Sequence, residues 1–184
     1  MKIRLFILVG ILILGSAVMI GPVAAATTGA AAVTGNPKIA VSISLNLTSI
    51  YLDLDPAASP ATNATLGITV SSNTASFFVK VNDSSGRAGG DLGYMGNYTG
   101  AAYDAINTKL GAAMTLTGTT NTTTAAQALA PPIAGQQTLY QGGGKVSSQL
   151  LTPNTFSQVV DYADARLPSG SVYRIDFTFE IGAT

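Results

Sequence analysis

The side chains that carry most enzyme chemistry are missing from this sequence. None of its 184 residues is cysteine or histidine, so Ser-His-Asp triads, thiol chemistry and the usual zinc sites are excluded. Two carboxylate pairs remain, Asp53 with Asp55 and Asp161 with Asp164. The first pair shares one face of a predicted strand and the second flanks a tyrosine, which favours a solvated strand edge and a turn over catalysis. We therefore expect no enzyme, no catalytic residue and no cofactor.

Two glycine-containing stretches could in principle form ligand-binding loops. The loop from Asp83 to Asp91 offers oxygen ligands, so calcium stays open as an alternative, but it lacks the spacing and the terminal Glu of a calcium-binding loop. Gly142–Gly144 precede Lys145 without the spacing of a phosphate-binding loop. A flexible turn is the prediction for the second stretch, and no metal site is predicted for either.

Acceptor triplets for N-linked glycans are a more specific signal. Five asparagines are each followed, two positions later, by Ser or Thr with no proline between. They are Asn46, Asn63, Asn82, Asn97 and Asn121. A surface rich in Thr and Asn also generates such triplets by chance, so glycosylation and coincidence both stay open.

Charge is scarce and evenly spread. Lys and Arg number 9, Asp and Glu number 9, and charged residues make up 10% of the chain. Without a basic or acidic cluster, we expect no nucleic-acid partner and no attraction to an anionic membrane. The lack of cysteine means that an exported form would depend on packing and chain pairing, which fits archaeal or Gram-positive-type secreted proteins.

The N-terminus has the three parts of a secretory signal peptide. Two basic residues lie within Met1–Arg4, an apolar run covers Leu5–Ile20, and small residues end it at Ala24–Ala26. We predict a signal helix in residues 1–25, cleavage at Ala25 or Ala26, and a flexible tail over 26–38. The alternative is an uncleaved anchor, since the apolar run could just span a bilayer. Only that segment would contact a membrane.

Alternating apolar residues predict strands through most of the remaining chain. Ile39 to Leu47 alternates with polar residues, and the phase slips near Thr48 and Ser49, which predicts a bulge or a switch between sheets. Further alternating segments are Leu66–Val70, Phe77–Val81, Ala112–Leu116, Phe156–Tyr162 and Tyr173–Ile181. Ala101–Leu110 is the one segment with a helical pattern.

These segments predict one domain over residues 39–184. About seven to nine short strands, separated by Gly, Pro, Asn and Ser turns, are typical of an all-β protein. We expect an antiparallel two-sheet β-sandwich, jelly-roll or immunoglobulin-like, with at most one short helix.

The order of these features resembles exported β-sandwich fibre subunits: the camelysin and biofilm-matrix fibre family, and archaeal bundling-pilus and methanogen sheath proteins. The likeness lies in the signal ending at Ala24–Ala26, the strand from Ile39, the step Ser72–Ala75 leading into Phe77–Val81, and Asp164 and Gly170 before Tyr173–Phe179. The resemblance implies assembly by strand addition, with Thr27–Lys38 as the candidate donor. Pairing through the edge of the first or last long strand is the alternative.

The resulting expectation is a structural subunit of an extracellular sheath, surface filament or pilus-like fibre, secreted to the cell surface and built from copies of itself. The alternative is an adhesion or carbohydrate-binding module whose partner is an envelope polysaccharide. Such a module needs an aromatic platform. The tyrosines Tyr94, Tyr98 and Tyr103 are the cluster that could supply it.

Overall fold

The computed structural model describes residues 37–106 and 108–183, and the predicted signal segment, Ala25 and Ala26 lie outside them. The described residues form ten strands in antiparallel sheets. The strands are β1 (Val41–Leu45), β2 (Ala61–Ser72), β3 (Ser76–Asp83), β4 (Gly96–Tyr98), β5 (Thr115–Thr117), β6 (Thr124–Ala126), β7 (Gln137–Gly143), β8 (Val146–Gln158), β9 (Val172–Arg174) and β10 (Phe177–Ala183). Two short 3₁₀ turns cover Pro56–Ala58 and Gly89–Asp91. No helix within these ranges is long and apolar enough to cross a membrane.

The strands build two four-stranded sheets and one small ribbon. Sheet A has the order β1-β2-β8-β5, sheet B has the order β10-β3-β7-β6, and β4 pairs with β9. The connections β2 to β3, β5 to β6 and β7 to β8 each pass from one sheet to the other. The predicted all-β, antiparallel two-sheet sandwich is confirmed.

The two sheets pack through the alternating residues that the sequence singled out. Leu66, Ile68 and Val70 of β2 are at most 2% exposed, and Phe77 and Val79 of β3 are fully buried in the same cluster. Burying a side chain of this kind stabilises a fold by roughly 1.5–3 kcal/mol. A period of two therefore places each strand with one face on the core.

The helix expected over Ala101–Leu110 is wrong. The described residues of this stretch form bends and isolated β-bridges, in which Tyr103 pairs with Tyr98 and Lys109 with Gly96. The amide of Leu110 donates to the carbonyl of Met95 at 3.0 Å. Ten residues make a marginal helix in isolation, and here the backbone groups pair across the β4 region instead.

Strand number and boundaries also differ from the sequence pattern. The described part has ten strands rather than seven to nine, because four of them (β4, β5, β6 and β9) are only three residues long. The predicted final strand is divided: β9 pairs with β4 and β10 pairs with β3. Between them, the carbonyl of Asp176 accepts a 2.8 Å hydrogen bond from the Ser84 amide. The chain therefore changes sheets without losing its alternation.

Candidate functional site

The sandwich is open along one side, where a groove reaches its apolar interior. The groove has a volume of about 1320 Å³ and lies between the segment Thr48–Asp55 and the strands β9 and β10. Leu66 and Phe156, both part of the buried core, also line it. Here the two sheets meet the solvent at their edges.

The first wall is extended chain that belongs to no sheet. After β1, the amide of Asn46 donates to the carbonyl of Gly67 at 3.1 Å. Beyond it, residues 49–55 have no strand assignment. Ile50, Leu52 and Leu54 are half-buried and point towards the core. The predicted phase slip near Thr48 thus marks the place where the chain leaves sheet A.

One side-chain contact and one turn hold this wall in place. Asn63 of β2 donates through Nδ2 to the carbonyl of Tyr51 at 3.2 Å. Asp55 accepts a 2.9 Å hydrogen bond from the amide of Ala57 and so caps the 3₁₀ turn that follows. The wall keeps its extended shape without a paired strand beside it.

The second wall is the edge of sheet B. Ile175, Phe177 and Phe179 line the groove and are half-buried against the core. The ring of Phe177 stacks on Phe156 of sheet A, with centroids 5.8 Å apart and planes at 29°. Because β10 pairs only with β3 among the described strands, its other edge offers unpaired backbone groups. Such an edge is a template for another strand.

Three of the four candidate carboxylates, Asp55, Asp161 and Asp164, accept hydrogen bonds from backbone amides. Asp53 and Asp55 are exposed on the first wall. Asp164 accepts through Oδ1 from the amide of Gly111 at 2.8 Å and through Oδ2 from the amide of Asp161 at 2.8 Å. Across the described residues, no group of three or more side chains is placed to hold a metal ion.

The loop considered for calcium holds ion pairs instead. Asp83 and Arg87 lie 3.6 Å apart with side chains 0% and 4% exposed. Both carboxylate oxygens of Asp83 also accept backbone amides, from Ser85 at 2.7 Å and from Gly93 at 2.7 Å. At the other end of the loop, Asp91 pairs with Lys109 at 2.9 Å. The carboxylate oxygens of Asp83 and Asp91 therefore already have partners within the protein.

The side chains of the tyrosine cluster contact other residues of the domain. Tyr98 and Tyr103 meet edge to face with centroids 5.3 Å apart. Arg174 stacks on Tyr98, and Lys109 lies over Tyr94. The hydroxyl of Tyr103 donates to Asp176 at 2.7 Å, and burial together with that carboxylate raises the pKa of Tyr103 well above its ordinary range. These rings pack the β4–β9 ribbon onto the body.

Two glycan-acceptor asparagines share one local geometry. The Oδ1 atom of Asn63 accepts from the amide and hydroxyl of Thr65, at 2.9 and 2.6 Å. Asn121 makes the same pair of contacts with Thr123, at 3.0 and 3.3 Å. In both triplets the threonine two positions on is hydrogen-bonded to the asparagine; the first triplet lies at an irregularity within β2 and the second in the bend before β6.

The other three asparagines differ in exposure. Asn46 is exposed, and its side chain bridges to the backbone of Gly67 and Thr65. Asn82 is half-buried. Asn97 is only 9% exposed and donates through Nδ2 to Asp104 at 3.1 Å. The folded domain thus presents Asn97 least of all five.

The groove is not predicted by the sequence pattern. Its signal was present in Ile50, Leu52 and Leu54, which alternate like a strand. Which strand edge lies opposite them depends on the tertiary fold. Of the second glycine stretch only Gly144, with a φ of 85°, lies at the turn between β7 and β8, whereas Gly142 and Gly143 belong to β7.

Comparison with other proteins gives no relative to draw on. No protein-family model, curated protein or solved structure matches this chain.

Proposed function

We propose that this chain is a structural subunit of an extracellular cell-envelope assembly, such as a sheath, surface filament or pilus-like fibre, whose copies join by β-strand pairing. The observation that supports this function is the open groove. Its two walls carry half-buried apolar side chains, among them Leu52, Phe177 and Phe179, and no strand of the described part fills the space between them. An assembly function also fits a chain without cysteine or histidine.

A strand placed in the groove would complete the fold physically. It would cover the half-buried Leu52, Phe177 and Phe179 and pair with the outer edge of β10 beside the two phenylalanines, where backbone donors and acceptors have no strand partner. Each backbone hydrogen bond contributes a net stabilisation of about 0.5–1.5 kcal/mol. Strand addition of this kind combines main-chain affinity with pockets for alternate side chains.

The donor we propose is the segment Thr27–Lys38 of a neighbouring copy. The described domain begins beside the β2–β3 turn, where the carbonyl of Lys38 accepts from Nδ2 of Asn73 at 2.7 Å. Asn63, which contacts the groove wall at Tyr51, lies at the opposite end of β2. The chain therefore enters the domain at the end of β2 opposite to the contact between Asn63 and Tyr51. Twelve extended residues reach about 40 Å, so donation to the next copy gives a head-to-tail row.

Export follows from this function. A signal over residues 1–25, removed at Ala25 or Ala26, would deliver the chain to the cell surface and free the donor segment. Glycans at the accessible asparagines would then face solvent.

Electron microscopy of the purified mature chain tests the proposal. We expect filaments, hoops or lattices, and a synthetic peptide of residues 27–38 should shorten them by occupying the groove. A scrambled peptide of the same composition is the control. A chain that stays dispersed and monomeric under all conditions would overturn the proposal.

A groove variant gives an independent measurement. Leu52→Asp places a charge on the first wall and should abolish assembly, whereas Tyr162→Asp, at a side chain that is 81% exposed and does not line the groove, should leave it intact. Circular dichroism and urea unfolding establish that both variants fold. If folded Leu52→Asp assembles like the parent chain, the groove is not the joint.

A further inference from the structure

The four strands of sheet A carry no charged residue. Every Asp, Glu, Lys and Arg of the described residues lies outside β1, β2, β5 and β8. The outward face of this sheet presents hydroxyl groups and small side chains in their place. These are chiefly Ser42, Ser44, Thr62, Thr69, Thr115 and Thr152.

Sheet B differs on its outer face. Lys80 of β3 and Glu180 of β10 are direct cross-strand partners. Gln136 links them, accepting from Lys80 at 3.5 Å and donating to Glu180 at 2.6 Å. Opposite charges on neighbouring strands keep such a face hydrated. The two faces of one sandwich therefore meet solvent in different ways.

A large apolar side chain lies near the middle of the uncharged face. Leu150 of β8 is 54% exposed and is the cross-strand partner of Thr69. It lies against Gly67, where an added Cβ would come within 3.1 Å of its Cδ1. Without a side chain at Gly67, Leu150 can lie flat across β2, and the face stays even.

The chemistry of the face selects among partners. It has no basic residue to contact phosphate and no outward aromatic ring on which a sugar could stack. A second copy of the same face needs neither a basic residue nor an aromatic ring in order to bind, and two uncharged surfaces do not repel each other. We propose that sheet A is a self-association surface, on which two copies pack face to face about a two-fold axis near Leu150.

The size of the face fits this partner. β2 and β8 have 12 and 13 residues, which corresponds to about 40 Å at about 3.3 Å per residue, and three adjacent strands span about 15 Å. The resulting area of about 600 Å² for each copy is the lower limit for a specific interface. Isolated copies associate weakly, and copies aligned in rows associate more strongly through multivalency. The stronger association of copies in rows rests on the proposed function, whereas the interface itself does not.

Thiol cross-linking tests the interface directly, because the natural chain has no cysteine. Leu150→Cys in the mature chain, treated with a bis-maleimide that spans about 10 Å, the distance between packed sheets, should give a covalent dimer. Gln141→Cys, exposed on the outward side of β7 in sheet B, is the matched control and should stay monomeric. Equal cross-linking of the two variants would overturn the proposal.

Charge insertion separates this surface from the groove. Leu150→Lys should lower the dimer fraction in sedimentation velocity at least tenfold and should leave single filaments unpaired. Gln141→Lys should change neither property. Unaltered dimerisation of Leu150→Lys excludes the sheet A interface. Loss of filaments with intact Leu150-dependent dimers would instead refute the proposed head-to-tail function and leave this interface standing.

Discussion

The hydroxyl of Tyr140 in sheet B donates a 2.6 Å hydrogen bond to Oδ1 of Asn154 in sheet A, and both residues are fully buried. The same hydroxyl accepts from the amide of Thr119 at 3.1 Å. Asn154 donates through Nδ2 to the carbonyls of Leu66 and Leu151. A connected polar network thus joins the two sheets through the apolar core. Such a network stabilises a fold when each member has a partner.

Tyr140→Phe should destabilise the domain by about 1–3 kcal/mol, because Asn154 and the Thr119 amide would each lose a buried partner. Urea unfolding followed by fluorescence or circular dichroism measures the change. Tyr162→Phe is the control, since Tyr162 is 81% exposed, and surface substitutions of this type stay within about 0.5 kcal/mol. Equal stabilities of the two variants would contradict the structural role of the network.

Alkaline pH should destabilise the domain through its tyrosines. Burial raises the pKa of Tyr103, Tyr140 and Tyr173 above the ordinary value of 10.0. The folded chain therefore holds these protons more tightly than the unfolded chain does. This stability is complete below about pH 10 and is lost as the pH rises further, by at most about 1.4 kcal/mol per pH unit for each tyrosine.

Urea midpoints measured between about pH 8 and pH 11.5 check this expectation. The midpoint should fall above pH 10, and Tyr103→Phe should reduce the slope of the fall. A midpoint that stays constant to pH 11.5 would show that the tyrosines ionise freely in the folded chain.

The two arginine–aspartate pairs should differ in their contribution to stability. Arg87→Ala leaves Asp83 buried without its cation, which costs about 3–5 kcal/mol in comparable buried pairs. Arg174→Ala breaks the pair with Asp176, whose side chains are 45% and 31% exposed, and should cost about 1 kcal/mol or less. Thermal and urea unfolding of the two variants provide the comparison. A larger loss of stability in Arg174→Ala than in Arg87→Ala would show that the hydrogen bonds from the Ser85 and Gly93 amides are enough to stabilise the buried Asp83 carboxylate.

Two adjacent glycines of β7 offer a matched test of core packing. A Cβ at Gly142 would overlap the ring of Phe77, whereas a Cβ at Gly143 would meet no atom within 4 Å. Gly142→Ala should destabilise the domain by about 1–3 kcal/mol, the usual effect of overpacking. Gly143→Ala should have little effect. Equal unfolding midpoints would mean that Phe77 moves aside without penalty.

Mass spectrometry of glycopeptides from the native host addresses the five acceptor triplets. We expect glycans at Asn46, Asn63 and Asn121, and the lowest occupancy at the buried Asn97. Asn63 and Asn121 are half-buried, but the threonine of each triplet, Thr65 or Thr123, is exposed. Full occupancy of Asn97 would require modification before the β4–β9 ribbon closes.

The strands that the sequence predicted well are those that bury alternate side chains on one face. Leu66–Val70 and Phe77–Val81 are of this kind, and both are strands of the core. The strand β7 was not predicted from the sequence, because Leu139 and Tyr140 are adjacent and both buried at an irregularity opposite Val79. Such an irregularity breaks the period of two on which the prediction depends.

The first part of β8 and the groove could not be predicted from the sequence, for related reasons. β8 buries Asn154 and Gln158, residues that a hydropathy pattern assigns to the surface. Their partners, such as Leu66 and Ala112, are distant in sequence. The groove likewise forms between segments that are distant in sequence and that only the tertiary fold brings together. Local pattern alone carries no information about such neighbours.

The separation of the two groove walls along the chain also has a consequence during synthesis. Thr48–Asp55 is made early, whereas Ile175–Phe179 emerges after all the other strands that form the core. A growing polypeptide therefore has no receptor for another molecule until its sandwich has closed. In the proposed assembly, this order would keep newly made chains apart on the ribosome and would delay polymerisation until each one has finished folding.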